Sequence, residues 1–203
     1  MFSLARSAEL FHAGGPIMYL LLLCSFLVVA IFAERFLYFR QLKPLPKGFI
    51  KDAGQMLAQG DFESAAKLCP EENCPAAQVA AAGMASLRQA AVRLESVLDA
   101  EALRVVGKLR KNTAHLENMV TVAPLLGLLG TVIGMIDSFR IIDVKNGQPL
   151  AITGGIGEAL ITTAFGLVVA ILAVAASSYV NHRVEQIITD IEEVSALIIR
   201  QAK

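Results

Sequence analysis

Asn118-Met-Val-Thr-Val-Ala-Pro-Leu-Leu-Gly-Leu-Leu-Gly-Thr-Val-Ile-Gly-Met-Ile-Asp-Ser-Phe139 decides how the rest of the chain is read. From Asn118 to Ile136 it holds no charge, and at 1.5 Å per residue about 19 residues of helix cross a hydrocarbon layer of about 30 Å. The stretch therefore reads as a membrane span. Wound as a helix, it places Ala123, Gly127, Gly130, Thr131, Gly134 and Ser138 on one narrow face, because they recur at spacings of three and four. Leu, Ile, Val and Met occupy the opposite flank. A glycine costs a soluble helix about 1 kcal/mol against alanine, and close approach of another helix in lipid accounts for three of them on one face. Thr131 sets a hydroxyl inside that face and has two readings. It bonds back to its own helix while the glycines serve packing alone, or it lines a polar path.

Across 203 residues, 55% are hydrophobic and 18% charged, with a mean hydropathy of +0.58, values close to those of a polytopic membrane protein. Formal charge is zero, so nothing points to nucleic acid as a partner. Two further runs are long enough to span, Gly14 to Ala33 and Ala159 to Val180. Arg35, Arg40, Lys43, Lys47 and Lys51 follow the first span; Arg104, Lys108, Arg110 and Lys111 precede the second; Arg183 follows the third. The other short segments hold Arg6, Arg140 and Lys145. The positive-inside bias then predicts an outer segment 1–15, a first span 16–36, a cytoplasmic helical region 37–117, a second span 118–139, an outer loop 140–152, a third span 153–180 and a cytoplasmic C-terminal helix 181–203. The first span does not read as a signal peptide, because Arg6 is distant, the basic residues lie on the far side and no persuasive small-x-small cleavage site precedes Glu34.

The expected fold class is all-α, with three transmembrane helices, two of them extended into a cytoplasmic bundle, and no strand-period segment of any length. Residues 1–15 are mildly amphipathic, and Gly14-Gly15-Pro16 starts the first span, where proline suits a first helical turn. That span is Leu-rich without a small-residue stripe, which places it on the lipid side. Phe49, Ile50, Ala53, Met56 and Leu57 mark an amphipathic helix stopped at Gly60, and Asp61 caps a short one over Phe62 to Leu68. Beyond the Cys69–Pro75 loop, an Ala-rich helix starts at Ala76. The stripe Leu94, Leu98, Ala102, Val105, Leu109 and Leu116 then runs to the second span without a stop, predicting one long helix. After Asn181, Ile187, Ile188, Ile191, Val194 and Ile198 keep the helical period, with Glu185, Asp190, Glu192 and Glu193 turned away.

Cys69 and Cys74, without nearby His, fall short of a four-ligand metal site and read as free thiols in a reducing compartment. No metal or other cofactor is expected. His12, His115 and His182 are scattered, and HExxH, a phosphate-cradling Gly-rich loop with Lys and a nucleophile elbow are all missing, so no enzyme is expected.

Glu158 is the sole side chain charged at neutral pH between Lys145 and His182. If the membrane begins near Ala151, this carboxylate lies inside a span, where it costs at least about 2.5 kcal/mol and marks function. If the membrane begins at Ala159, it is a first-turn acid at the outer interface, favoured by the helix dipole. Thr162 stands four residues on, Thr163 follows, and Thr131 is on the facing stripe. Hydroxyls donate and accept at once, so threonines with one carboxylate can relay a proton or partly strip a small cation. Asp137, near the outer end of the stripe, stands at an entrance or simply meets water or Arg140. Ala159, Thr162, Thr163, Gly166, Ala170, Ala173 and Ser177 give the third span its own small-residue face. One subunit supplies one such wall, so a pore needs a ring of copies or another protein's helix.

Ala123-Pro-Leu-Leu-Gly-Leu-Leu-Gly-Thr-Val-Ile-Gly-Met-Ile-Asp-Ser-Phe139, followed by Gly155-Ile-Gly-Glu-Ala-Leu-Ile-Thr-Thr-Ala-Phe-Gly-Leu167, resembles the MotA/TolQ/ExbB proton-channel family. The short outer N-terminus and the Gly-Gly-Pro start are most similar to the ExbB type. The resemblance implies a bacterial inner-membrane homopentamer around the transmembrane helices of two copies of an ExbD-like partner, whose membrane aspartate takes up and releases protons. It also implies that a TonB-like protein is energised to drive an outer-membrane transporter. Thr131 and Thr163 match the family's pore threonines and Glu158 its third-span glutamate. Thr162 joins them as a pore-lining candidate, and Ala123, Gly127, Gly130, Gly134, Gly166 and Ala170 form the expected packing face. Many ExbB-type sequences carry Pro late in the third span, whereas this chain has Ala170-Ile-Leu-Ala-Val174, so no kink is expected there. A TolQ-like subunit, a MotA-like stator and a passive scaffold are the alternatives; a large cytoplasmic insertion is missing, which weighs against MotA.

Overall fold

Lipid offers a backbone no hydrogen-bond partner, so long apolar runs must satisfy their own amides as helices. The computed structural model describes residues 15–46, 48–59, 61, 64–65, 68, 73–87, 94–144 and 149–201. The helices named here are α1 (Gly15–Gln41), α2 (Phe49–Ala58), α3 (Pro75–Leu87), α4 (Leu94–Leu109), α5 (Thr113–Val144) and α6 (Pro149–Gln201), and no strand occurs among the described residues. Helices long and apolar enough to cross a membrane cover Gly15–Gln41, Thr113–Phe139 and Gly154–Gln201. The expectations for residues 1–14, Gly60, Phe62, Cys69, Pro70 and Lys145 to Gln148 lie outside the described residues.

The chain divides into two compact units, Met1–Ala33 with Asn112–Ser178, and Glu34–Lys111 with Tyr179–Lys203. In the first, Ile17, Leu21 and Cys24 of α1 pack with Ala123 of α5 and with Val169 and Ala170 of α6, flanked by Met119, Leu126 and Phe165. The other face of α1 is turned outward, with Tyr19, Leu22, Leu23, Phe26 and Val29 exposed. These are side chains suited to lipid. Pro124 sits inside α5, which continues past the missing N–H as membrane helices can.

The second unit carries most of the charge and packs by larger side chains. Phe49, Ala53 and Leu57 of α2, Val79 and Met84 of α3, Leu98, Val105 and Leu109 of α4, and Val184, Ile191, Val194 and Ile198 of α6 are buried. Asp61 accepts from the Ser64 N–H at 3.0 Å, an N-cap bond that starts the next turn. Arg35 is only 3% exposed. It pairs with Glu34 at 2.6 Å, lies 5.0 Å from the Tyr38 ring centroid and donates to the Lys108 carbonyl at 3.4 Å. The guanidinium thus sits at the C-terminal end of α4, where carbonyls lack helical partners and the dipole favours a cation.

The single helix expected from Ala76 into the second span is not what forms. α3 ends at Leu87, α4 begins at Leu94, and the chain turns over Arg110–Asn112 before α5. Asn112 has φ 61°, the left-handed conformation that asparagine tolerates better than most residues and that ends helices. Periodicity survives such a break, so the stripe concealed it. Within the stretch expected as an outer loop, 140–152, α5 continues to Val144 and α6 opens at Pro149, in the position where proline loses nothing. Asp190 is half-buried, whereas Glu185, Glu192 and Glu193 are exposed as expected.

Candidate functional site

Glycine and alanine remove the side-chain layer between helices, so repeats of them at four-residue spacing let backbones touch. α5 and α6 meet in this way along an antiparallel seam. A Cβ added to Gly166 would lie 2.7 Å from the Ala123 carbonyl oxygen and 3.0 Å from Gly127 Cα; one added to Gly127 would lie 3.0 Å from Thr163 Cα. A Cβ on Gly134 would come 2.7 Å from Ala159 Cβ, and Cβ atoms on Gly130 and Gly155 would overlap the Thr162 methyl and the Ser138 hydroxyl. Ala170 is buried in the cluster shared with α1. Sequence reading did not single out Gly155, although its four-residue spacing from Ala159 carried the signal.

The threonines behave differently from one another. Thr163 donates its hydroxyl across the seam to the Gly127 carbonyl at 2.7 Å. Thr131 donates at 2.7 Å to Leu128 of its own helix. Thr162 is 1% exposed and packs on Gly130 inside the seam, so it opens on no surface of this chain. Met119 and Leu126 of α5 and Phe165 and Val169 of α6 face α1. Thr131 shares its flank of α5 with Pro124, Leu128 and Met135, and Thr163 shares its flank of α6 with Ile156, Leu160 and Leu167, by spacings of three, four and seven. Both half-buried threonines therefore lie on the side turned away from α1. Each keeps oxygen lone pairs after donating its proton, so each can accept from a hydronium, a water or a protonated carboxyl.

Glu158 lies in α6 one turn before Thr162; its side chain is outside the described residues. Asp137 is exposed. Among the described residues no group of three or more His, Cys, Asp or Glu side chains gathers to hold a metal. Cys74 is free and buried, and burial pushes its thiol up, away from the reactive thiolate.

Three apolar helices, two of them joined by a glycine-alanine-threonine seam, define a polytopic helical membrane protein whose second and third spans pack as a pair. A model of the MotA/TolQ/ExbB proton channel family matches residues 71–193, more than half of the chain and the whole seam, and the chain belongs to that family. It is similar to the ExbB-like 3 biopolymer transport protein of Synechocystis, 31% identical over 166 residues, covering 78% of this chain and 77% of that one. It is also similar to the ExbB homologue of Methanothermobacter thermautotrophicus, 28% identical over 185 residues, covering 91% and 66%. Likeness extends to the Tol-Pal system protein TolQ of Haemophilus influenzae, 36% identical over 104 residues, covering 49% and 46%.

Proposed function

We propose that the chain is the ring-forming subunit of an ExbB-type complex of a bacterial inner membrane. Five copies surround the transmembrane helices of an ExbD-like single-span partner, whose membrane aspartate carries the proton. The observation that supports this is the seam's outer flank, where the hydroxyls of Thr131 and Thr163 stand together among Leu128, Leu160 and Leu167, apolar side chains that are 57%, 61% and 49% exposed, so two oxygens with lone pairs to spare lie open where lipid offers no hydrogen-bond partner. In a ring that flank faces the enclosed centre and α1 faces lipid. The N-terminus is outside and the C-terminus cytoplasmic, so the second unit lies in the cytoplasm.

Thr131 and Thr163 offer hydroxyl oxygens to the moving proton, Glu158 stands at the outer mouth, and Thr162 holds the two helices at the separation the path needs. One charge crossing 100 mV releases about 2.3 kcal/mol. A hydrogen bond is worth about 1 kcal/mol net, so each proton suffices to exchange one set of ring–partner contacts for the next. The resulting movement of partner against ring energises a TonB-like protein. The test is proton flux into liposomes holding the chain and its partner. Thr163→Val and Glu158→Ala each lower it by about tenfold or more, equivalent to about 1.4 kcal/mol of barrier, with the ring intact. Wild-type flux in both variants removes these residues from the mechanism, and no flux with any partner leaves a passive scaffold.

The likeness to TolQ favours a second reading, a subunit serving envelope maintenance. Co-purification with a partner encoded beside this chain separates the two.

A further inference from the structure

The second unit contains a cavity of about 410 Å3 whose apolar side is formed by Leu42, Leu45 and Ile187 and whose polar side carries Lys43, Arg183 and Asp190. Arg183 Nη1 donates to Gln186 Oε1 at 3.0 Å, which fixes the guanidinium. Its Nε is buried without a hydrogen-bond partner among the described residues. The buried Nε has no accessible surface toward the cavity, so the terminal nitrogens of Arg183 are the ones that can meet a ligand there. Asp190 is on the same wall, yet among the described residues it forms no ion pair with Arg183 or Lys43. Cys74, Pro75 and Ala76, at the start of α3, also border the cavity. Lys43 and Arg183 are the cationic donors on its wall.

The cavity has a position as well as a charge. Leu42 follows the last residue of α1, and Arg183 lies three residues past Val180, where the third apolar run ends. With the second unit at the cytoplasmic face, as the proposed orientation has it, the cavity opens at headgroup depth. We propose that it binds the phosphodiester headgroup of a membrane phospholipid, with Arg183 and Lys43 holding the phosphate and Leu42, Leu45 and Ile187 meeting the glycerol and upper acyl carbons. Arginine and lysine are the usual phosphate ligands, and the partly apolar lining suits a lipid better than a bare ion.

The purified oligomer in neutral detergent is titrated with phosphatidylglycerol and, separately, with inorganic phosphate, and bound species are read by native mass spectrometry. Phosphatidylglycerol binds, and the Lys43→Gln/Arg183→Gln double variant weakens it by about tenfold or more while the thermal midpoint without lipid is kept. Asp190→Asn tightens binding by removing a like charge, a change of sign that structural damage does not produce. Lipid binding unchanged in both variants overturns the proposal; inorganic phosphate bound as well as the lipid overturns the lipid assignment. Neither readout involves proton flux, so failure here is separate from failure of the channel reading.

Discussion

The two units solve helix packing in opposite ways. In the first, α5 and α6 bring backbone to backbone through Gly127, Gly130, Gly134 and Gly166. In the second, α3, α4 and the end of α6 interpose Leu98, Met84 and Ile198. A single helix does both, with Ala159, Ala170 and Ala173 buried early in α6 and Val184, Ile191, Val194 and Ile198 buried later. The difference teaches what the solvent rewards. Between helices in lipid there is no hydrophobic drive, since the tails are as apolar as leucine, so close contact and interhelical hydrogen bonds must hold them. In water, removal of large apolar side chains supplies the drive and distance between backbones is no handicap.

This contrast can be broken at several points. Leu98→Ala, at a site 1% exposed, should cost about 2–5 kcal/mol, read as a lower unfolding midpoint in detergent. Gly166→Ala should cost about 1–3 kcal/mol by overpacking, because the added carbon meets backbone that cannot turn aside. Gly83→Ala meets Leu98 and Ile198 side chains instead, and should cost less than Gly166→Ala in the same melt. The reverse order would mean that the seam is looser than its geometry. Thr163→Val should remove about 1 kcal/mol with the cross-seam hydrogen bond, and Thr131→Val less, its bond being local. Gly107 has nothing within 4 Å of an added Cβ, so Gly107→Ala should gain up to about 1 kcal/mol.

The smallest effect concerns pH. Burial and the neighbouring Glu193 raise the Asp190 carboxyl above its ordinary value. The folded protein therefore holds that proton more tightly than the unfolded chain, and the charged carboxylate costs stability above the raised pKa, a cost that fades as pH falls through it. Asp190→Asn should accordingly raise the unfolding midpoint slightly at pH 7 and leave it unchanged near pH 4. A larger gain at low pH would contradict the burial of this group.

Residue order alone determined the all-helical class, the three apolar runs and the small-residue faces of the second and third, because a bilayer dictates helix length and backbone satisfaction and a helix repeats every 3.6 residues. It also carried the family, through the Gly127–Gly134 and Gly155–Gly166 motifs. The rest belonged to tertiary structure. Periodicity assigns a residue to a face but names no partner, so the Gly166–Ala123 and Gly130–Thr162 contacts emerged only with the packed seam. Equivalent-looking threonines likewise parted company only in three dimensions, Thr163 bonding across, Thr131 bonding back and Thr162 buried. The Asn112 turn and the cavity beside Arg183 escaped for the same reason: one dihedral angle and one unfilled volume are fixed by how distant segments meet, and local residue spacing does not record that.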